Sequence, residues 1–217
     1  MAKYQAVLFD LDGTLLDTIA DLVDSMNAAL AGQGLPPRSV EECKRFVGDG
    51  VEMFATRALP EGRRDEATVA AVVAAHRKEY SRRWADKTRP YDGIPQLLDE
   101  LTARGVAMAV LSNKPEDFTQ LMVARLLPKW TFAAVRGARK GEALKPSPDA
   151  ALGIAAALAV APGGFLYVGD TNTDMRTAVA AGMYPVGALW GFRTAEELLA
   201  NGAKTLINRP ADLLTLI

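Results

Sequence analysis

The sequence predicts an α/β fold: a Rossmann-like parallel sheet core, interrupted after its first strand by an inserted α-helical cap. Three observations carry this expectation. Short, continuously apolar runs alternate with helical patterns along most of the 217 residues, the rhythm of a parallel sheet covered on both faces. About ninety residues between the first two such runs carry only helical periodicity, far more than a crossover needs. Several of the runs end abruptly in polar residues, where open parallel sheets place their ligands.

Taken in order, Ala6, Val7, Leu8 and Phe9 predict a strand buried on both faces. Helical patterns follow over roughly 17–31, 39–58 and 65–85, with turns marked by Gly34, Pro36 and Pro37 and by Pro60 and Gly62. Residues 16–86 are assigned to the helical cap, and 1–15 with 87–217 to the core. Pro90 and Gly93 mark the linker that returns to the core. Further strands are predicted at 107–111, 132–135, 165–168 and 185–189, with 205–207 as a short edge strand.

Composition narrows the function. Twenty-five Lys and Arg against 26 Asp and Glu leave a net charge of -1, so no global positive field holds a nucleic acid or an anionic membrane. Trp84, Trp130 and Trp190 are scattered and make no stacking platform for bases. The amino-terminal apolar run is broken by Asp10 and Asp12, too short and too charged for a signal peptide or a membrane span. A single cysteine, Cys43, forms no intramolecular disulfide and reads as a structural thiol; together these features predict a soluble protein of the cytoplasm. The only histidine, His76, precedes Arg77, Lys78 and Glu79, which predicts a solvated helix face.

Chemistry concentrates at the strand ends. The first gives Asp10, Asp12, Gly13 and Thr14, the second Ser112, Asn113 and Lys114, and a later one Asp170 and Asp174; Lys145 precedes a helix between them. Asp10 and Asp12 alternate along an extended segment and would face opposite ways, but Gly13 allows an abrupt turn that redirects Asp12. Crowded carboxylates oppose joint ionisation, so the cluster requires a cation or a shared proton. Hard oxygen ligands without His or Cys select Mg²⁺, which would also admit an anionic substrate.

The order DLDGT, SN, KPSP and GDTNTD, running from Asp10 to Asp174, resembles the four motifs of haloacid dehalogenase superfamily phosphatases. That resemblance implies Asp10 as the nucleophile that forms an aspartyl phosphate, and Asp12 as general acid and then base. It implies Ser112 and Lys145 on the phosphoryl oxygens, with hydrogen bonds from Asn113 and Thr14. Mg²⁺ would be held by Asp10, the backbone carbonyl of Asp12 and Asp170, with Asp174 completing or orienting the site. Within the superfamily, DLDGTLLDT, the segment from Met26 to Pro37 and the segment from Phe46 to Val51 resemble phosphoglycolate phosphatases, which makes 2-phosphoglycolate the expected small-molecule substrate. Ser147 stands where many relatives carry histidine.

Other activities on the same frame are a pyrophosphatase, a nucleotidase, or a sugar-phosphate phosphatase or phosphomutase. A phosphomutase would carry a histidine in the first cap helix, and 21–27 holds none. A noncatalytic phosphate- or partner-binding module is the alternative of another class. It has no use for two acids spaced as Asp10 and Asp12 are.

Overall fold

The computed structural model describes residues 4–217. The chain divides into two compact units, one formed by the chain up to Leu16 with Pro90–Ile217, the other by Asp17–Arg89. It opens with β1 (Ala6–Phe9) and leaves the first unit through β2 (Leu16–Asp17). The second unit holds α1 (Ile19–Ala31), α2 (Val40–Phe46), α3 (Val51–Ala58) and α4 (Glu66–Arg83). Return is through β3 (Arg89–Pro90), which pairs with β2 as a two-stranded sheet. Then come α5 (Ile94–Ala103), β4 (Ala107–Pro115), α6 (Glu116–Leu126), β5 (Ala134–Ala138), α7 (Asp149–Ala157), β6 (Phe165–Gly169), α8 (Asn172–Ala180), β7 (Tyr184–Ala188), α9 (Ala195–Ala200) and β8 (Thr205–Ile207).

Six of these strands form one parallel sheet in the order β5-β4-β1-β6-β7-β8, the α/β architecture that the alternating runs predict. All four residues of β1 are fully buried. Ala6 and Leu8 join a cluster with Ala151, Ile154 and Ala155 of α7 and Ala178 of α8, so Val7 and Phe9 face the opposite side of the sheet. Each large apolar side chain so enclosed contributes roughly 1.5–3 kcal/mol of burial.

Two strands differ from the sequence expectation for a physical reason. β5 starts two residues later than predicted, because as an edge strand it is mostly half-buried and apolarity is a poor guide to its bounds. β4 runs on to Pro115, beyond its apolar run, because Ser112, Asn113 and Lys114 stay extended beside β5 through an irregular register. No helix among the described residues is long and apolar enough to cross a membrane.

Inside the helical unit, the predicted 39–58 stretch is two helices, broken where Gly48 and Gly50 take positive φ. Ser39 and Glu42 form a capping box that starts α2. Asp21, buried in α1, accepts bonds from the Lys87 and Thr88 amides and from Thr88 Oγ1 (2.7 Å), which makes it a structural acid tying down the end of the unit. Cys43 is fully buried, and burial pushes its thiol up to about 11, as befits a structural thiol. His76 corrects the sequence expectation of a solvated face. It is only 4% exposed, set edge-on to Phe54 and stacked on Tyr80 with ring centroids 5.6 Å apart in both pairs. Val72, His76 and Tyr80 recur every four residues as the buried stripe of α4, while the charged 77–79 segment lies off that stripe.

Candidate active site

The carboxyl ends of β4, β1 and β6 are neighbours in the sheet, so the three polar motifs that end these strands converge. Asp10 continues β1, its amide donating to the Val168 carbonyl (2.9 Å) while its Oδ1 accepts from the Leu11 amide (2.7 Å). The chain then folds back on itself. Gly13 takes φ of 84° and donates to Leu16 O, and the Leu15 and Leu16 amides both donate to Leu11 O. Gly13 is required twice over: its conformation is left-handed, and a Cβ there would overlap the Asp170 carboxylate.

Lys145 reaches the same point from the loop before α7. Asn113 fixes its backbone with a reciprocal pair, Asn113 Nδ2 to Lys145 O (3.0 Å) and Lys145 N to Asn113 Oδ1 (2.9 Å). Its ammonium lies 3.0 Å from Asp10 Oδ1, 2.7 Å from Asp174 Oδ1 and 3.1 Å from the Leu111 carbonyl. Three oxygens thus match the three protons of the ammonium.

Asp170 and Asp174 are fully buried. Asp170 Oδ1 accepts from Thr14 Oγ1 and Oδ2 from the Phe192 amide, both at 2.8 Å. Asp174 forms a capping box with Thr171 at the start of α8, taking the Thr171 hydroxyl on Oδ2 (2.6 Å) while Oδ1 holds Lys145. Gly169 makes room for it, since a Cβ there would run into the Asp174 side chain.

Charge balance defines what the site can hold. Ligand atoms of Asp10, Asp170 and Asp174 all lie within 4.8 Å of one another, with Lys145 as the ammonium shared by Asp10 and Asp174. Burial, reinforced by Asp174, pushes the Asp10 carboxyl well above its ordinary range against the pull of Lys145. Burial and then Asp174 likewise raise Asp170 to about 7, although the Phe192 amide and the Thr14 hydroxyl favour its ionised form. Burial by itself would lower the Lys145 ammonium, but the flanking Asp10 and Asp174 outweigh it and hold it well above its ordinary value. Three buried carboxylates this close together, with neither His nor Cys in the group, fit a hard divalent cation such as Mg²⁺.

The structure therefore brings Asp10, Lys145, Asp170 and Asp174 together, and the other predicted residues hold the side chains around them. Thr14 bonds Asp170, Asn113 holds the Lys145 backbone, and Ser112 Oγ accepts from the Lys114 amide (3.3 Å). Asp12 is held by Lys114, whose Nζ lies 3.1 Å from each of its carboxylate oxygens; that pairing was not foreseen from the sequence. Its signal was present, because Ser112 and Lys114 are two apart on an extended segment. Nothing local announced the loop after β7, where Trp190 Nε1 donates to Thr14 O (3.0 Å) and Phe192 N reaches Asp170.

A sheet with this strand order and an acidic cluster with a lysine at its carboxyl edge define a hydrolase of the haloacid dehalogenase type. The family model described as haloacid dehalogenase-like hydrolase matches residues 7–188, and the chain belongs to that family. More particularly, it is 34% identical to a protein of Xanthomonas campestris pv. campestris named phosphoglycolate phosphatase, over 96% of this chain and 94% of that one. A protein of Xylella fastidiosa with the same name is 33% identical over 95% of this chain and 90% of its own length. Among solved structures, one from Lactobacillus delbrueckii subsp. bulgaricus superposes with a TM-score of 0.91 at 32% identity, covering 97% of each chain.

Proposed function

We propose that this hydrolase is a Mg²⁺-dependent phosphatase that cleaves 2-phosphoglycolate to glycolate and phosphate through an aspartyl phosphate on Asp10. The observation that carries the reading is the buried Asp10 carboxylate held 3.0 Å from the Lys145 ammonium at the edge of an acidic cluster. A carboxylate so fixed is aimed, and an ammonium beside it stabilises charge on a transferring phosphoryl group.

In this reading Asp10 attacks phosphorus as the ester P–O bond breaks, and the departing alkoxide takes a proton from Asp12. Water then attacks the aspartyl phosphate and gives its proton to Asp12, which releases phosphate and restores Asp10. Lys114, on both oxygens of Asp12, holds that carboxylate in one orientation. Asp10, the Asp12 carbonyl and Asp170 would hold the Mg²⁺, with Asp174 orienting Lys145. When bound, the ion keeps the carboxylates ionised and takes up charge on the phosphoryl oxygens. The inserted helical unit would serve as the cap. Support for 2-phosphoglycolate comes from the names of relatives 33–34% identical over nearly the whole chain.

The test is phosphate release from 2-phosphoglycolate, pyrophosphate, nucleoside monophosphates and sugar phosphates, with Mg²⁺ or EDTA. Preferred, Mg²⁺-dependent turnover of 2-phosphoglycolate is expected. A strong preference for another ester would replace the substrate, and no release from any would overturn the reading.

A further inference from the structure

We propose that the 189–192 loop is a strap that sets the Asp170 carboxylate as a cation ligand, with Trp190 as its positioning residue. The inference rests on the metal-dependent reading above and adds residues that reading does not use. Asp10 and Asp174 share the Lys145 ammonium, whereas each oxygen of Asp170 is fixed by a neutral donor.

Those donors close a ring. Trp190 Nε1 donates to the Thr14 carbonyl (3.0 Å), Thr14 Oγ1 donates to Asp170 Oδ1 (2.8 Å), and the Phe192 amide donates to Asp170 Oδ2 (2.8 Å). Two backbone steps from Phe192 to Trp190 complete it. A glycine stands at the middle of the strap, and a Cβ on Gly191 would overlap the Asp170 side chain just as one on Gly13 would. The carboxylate is therefore packed between two backbone segments as well as bonded by them. The Leu189 amide anchors the base of the strap to the Ile207 carbonyl of β8 (3.0 Å). Each oxygen keeps lone pairs after accepting one bond, so the ring fixes the plane of the carboxylate without using up its capacity to ligate. Trp190 bonds the Thr14 carbonyl and acts on Asp170 through Thr14.

Direct Mn²⁺ and Mg²⁺ binding to the full chain by calorimetry, without substrate, tests this. Trp190→Phe keeps an aromatic side chain but removes the donor that closes the hydrogen-bonded ring, and is expected to weaken binding about three- to tenfold with unchanged unfolding in EDTA. Thr14→Val is expected to weaken it about 10- to 100-fold, and Thr14→Ser, which keeps the hydroxyl, to restore it. In turnover, Trp190→Phe should raise the metal concentration needed for half-maximal rate by the same factor and leave KM for the ester unchanged. Wild-type binding with equal affinity in Trp190→Phe overturns the strap alone, as does a Trp190→Phe protein that loses stability but not metal affinity. Should Trp190→Phe not fold, equal affinities of Thr14→Val and Thr14→Ser overturn it. Wild type that binds neither metal overturns the metal-dependent reading, and the strap with it.

Discussion

Removing the divalent cation and raising the pH should turn the buried carboxylates against the fold. Asp170 is raised from 3.8 to about 7 in the folded protein, chiefly by burial. Below the unfolded value the carboxyl is protonated in both states and does not affect stability. As pH rises from there to about 7, the folded state keeps a proton that the unfolded chain has released, so stability falls. Above about 7 the loss is complete. At about 1.4 kcal/mol per pH unit, the whole interval is worth about 4 kcal/mol, of which about 3 kcal/mol falls between about pH 5 and pH 8. Asp10, also raised, adds in the same direction. A bound Mg²⁺ favours the ionised carboxylates, so its stabilising effect should grow over the same interval. The assay is urea unfolding at about pH 5 and pH 8, in EDTA and in Mg²⁺, for wild type and Asp170→Asn. Wild type in EDTA should lose about 3 kcal/mol more than the variant across that span, and Mg²⁺ should recover it at the upper pH. Equal pH slopes for the two proteins, or Mg²⁺ stabilisation that does not grow with pH, would mean that Asp170 does not hold its proton in the folded, metal-free protein.

Other substitutions probe other links. Lys145→Met leaves Asp10 and Asp174 buried beside no ammonium; unfolding in EDTA should show a loss of about 3–5 kcal/mol, and turnover should drop at least about a hundredfold. Gly13→Ala forces a Cβ into the Asp170 carboxylate at a left-handed backbone position, so a loss of about 2 kcal/mol by denaturant titration and near-complete loss of phosphate release are expected. His76→Ala empties the space between Phe54 and Tyr80, and should cost about 2–3 kcal/mol in chemical unfolding.

Much of this was legible in the sequence because the relevant signals are local. β1 is a continuous apolar run that ends at Asp10, and Asp10, Lys145, Asp170 and Asp174 each sit beside a turn or helix start that the chain announces. Side-chain direction was less legible, because it depends on partners far along the chain. Thr14 bonds Asp170, 156 residues away, and Lys114 reaches Asp12 across 102 residues. Trp190, 176 residues from Thr14, looked like a scattered aromatic because nothing near it in sequence reveals its acceptor. The burial of His76 is hidden for a different reason: charged neighbours at 77–79 mask a four-residue spacing that places it with Val72 and Tyr80.

The most direct test of the account is the mass of the intact protein after rapid acid quench during turnover of 2-phosphoglycolate with Mg²⁺. A transient species heavier by one phosphoryl group is expected, located on the peptide containing Asp10 and absent from Asp10→Asn, which should also release no phosphate. Wild-type turnover by Asp10→Asn, or a phosphoryl group found on another residue, would contradict it.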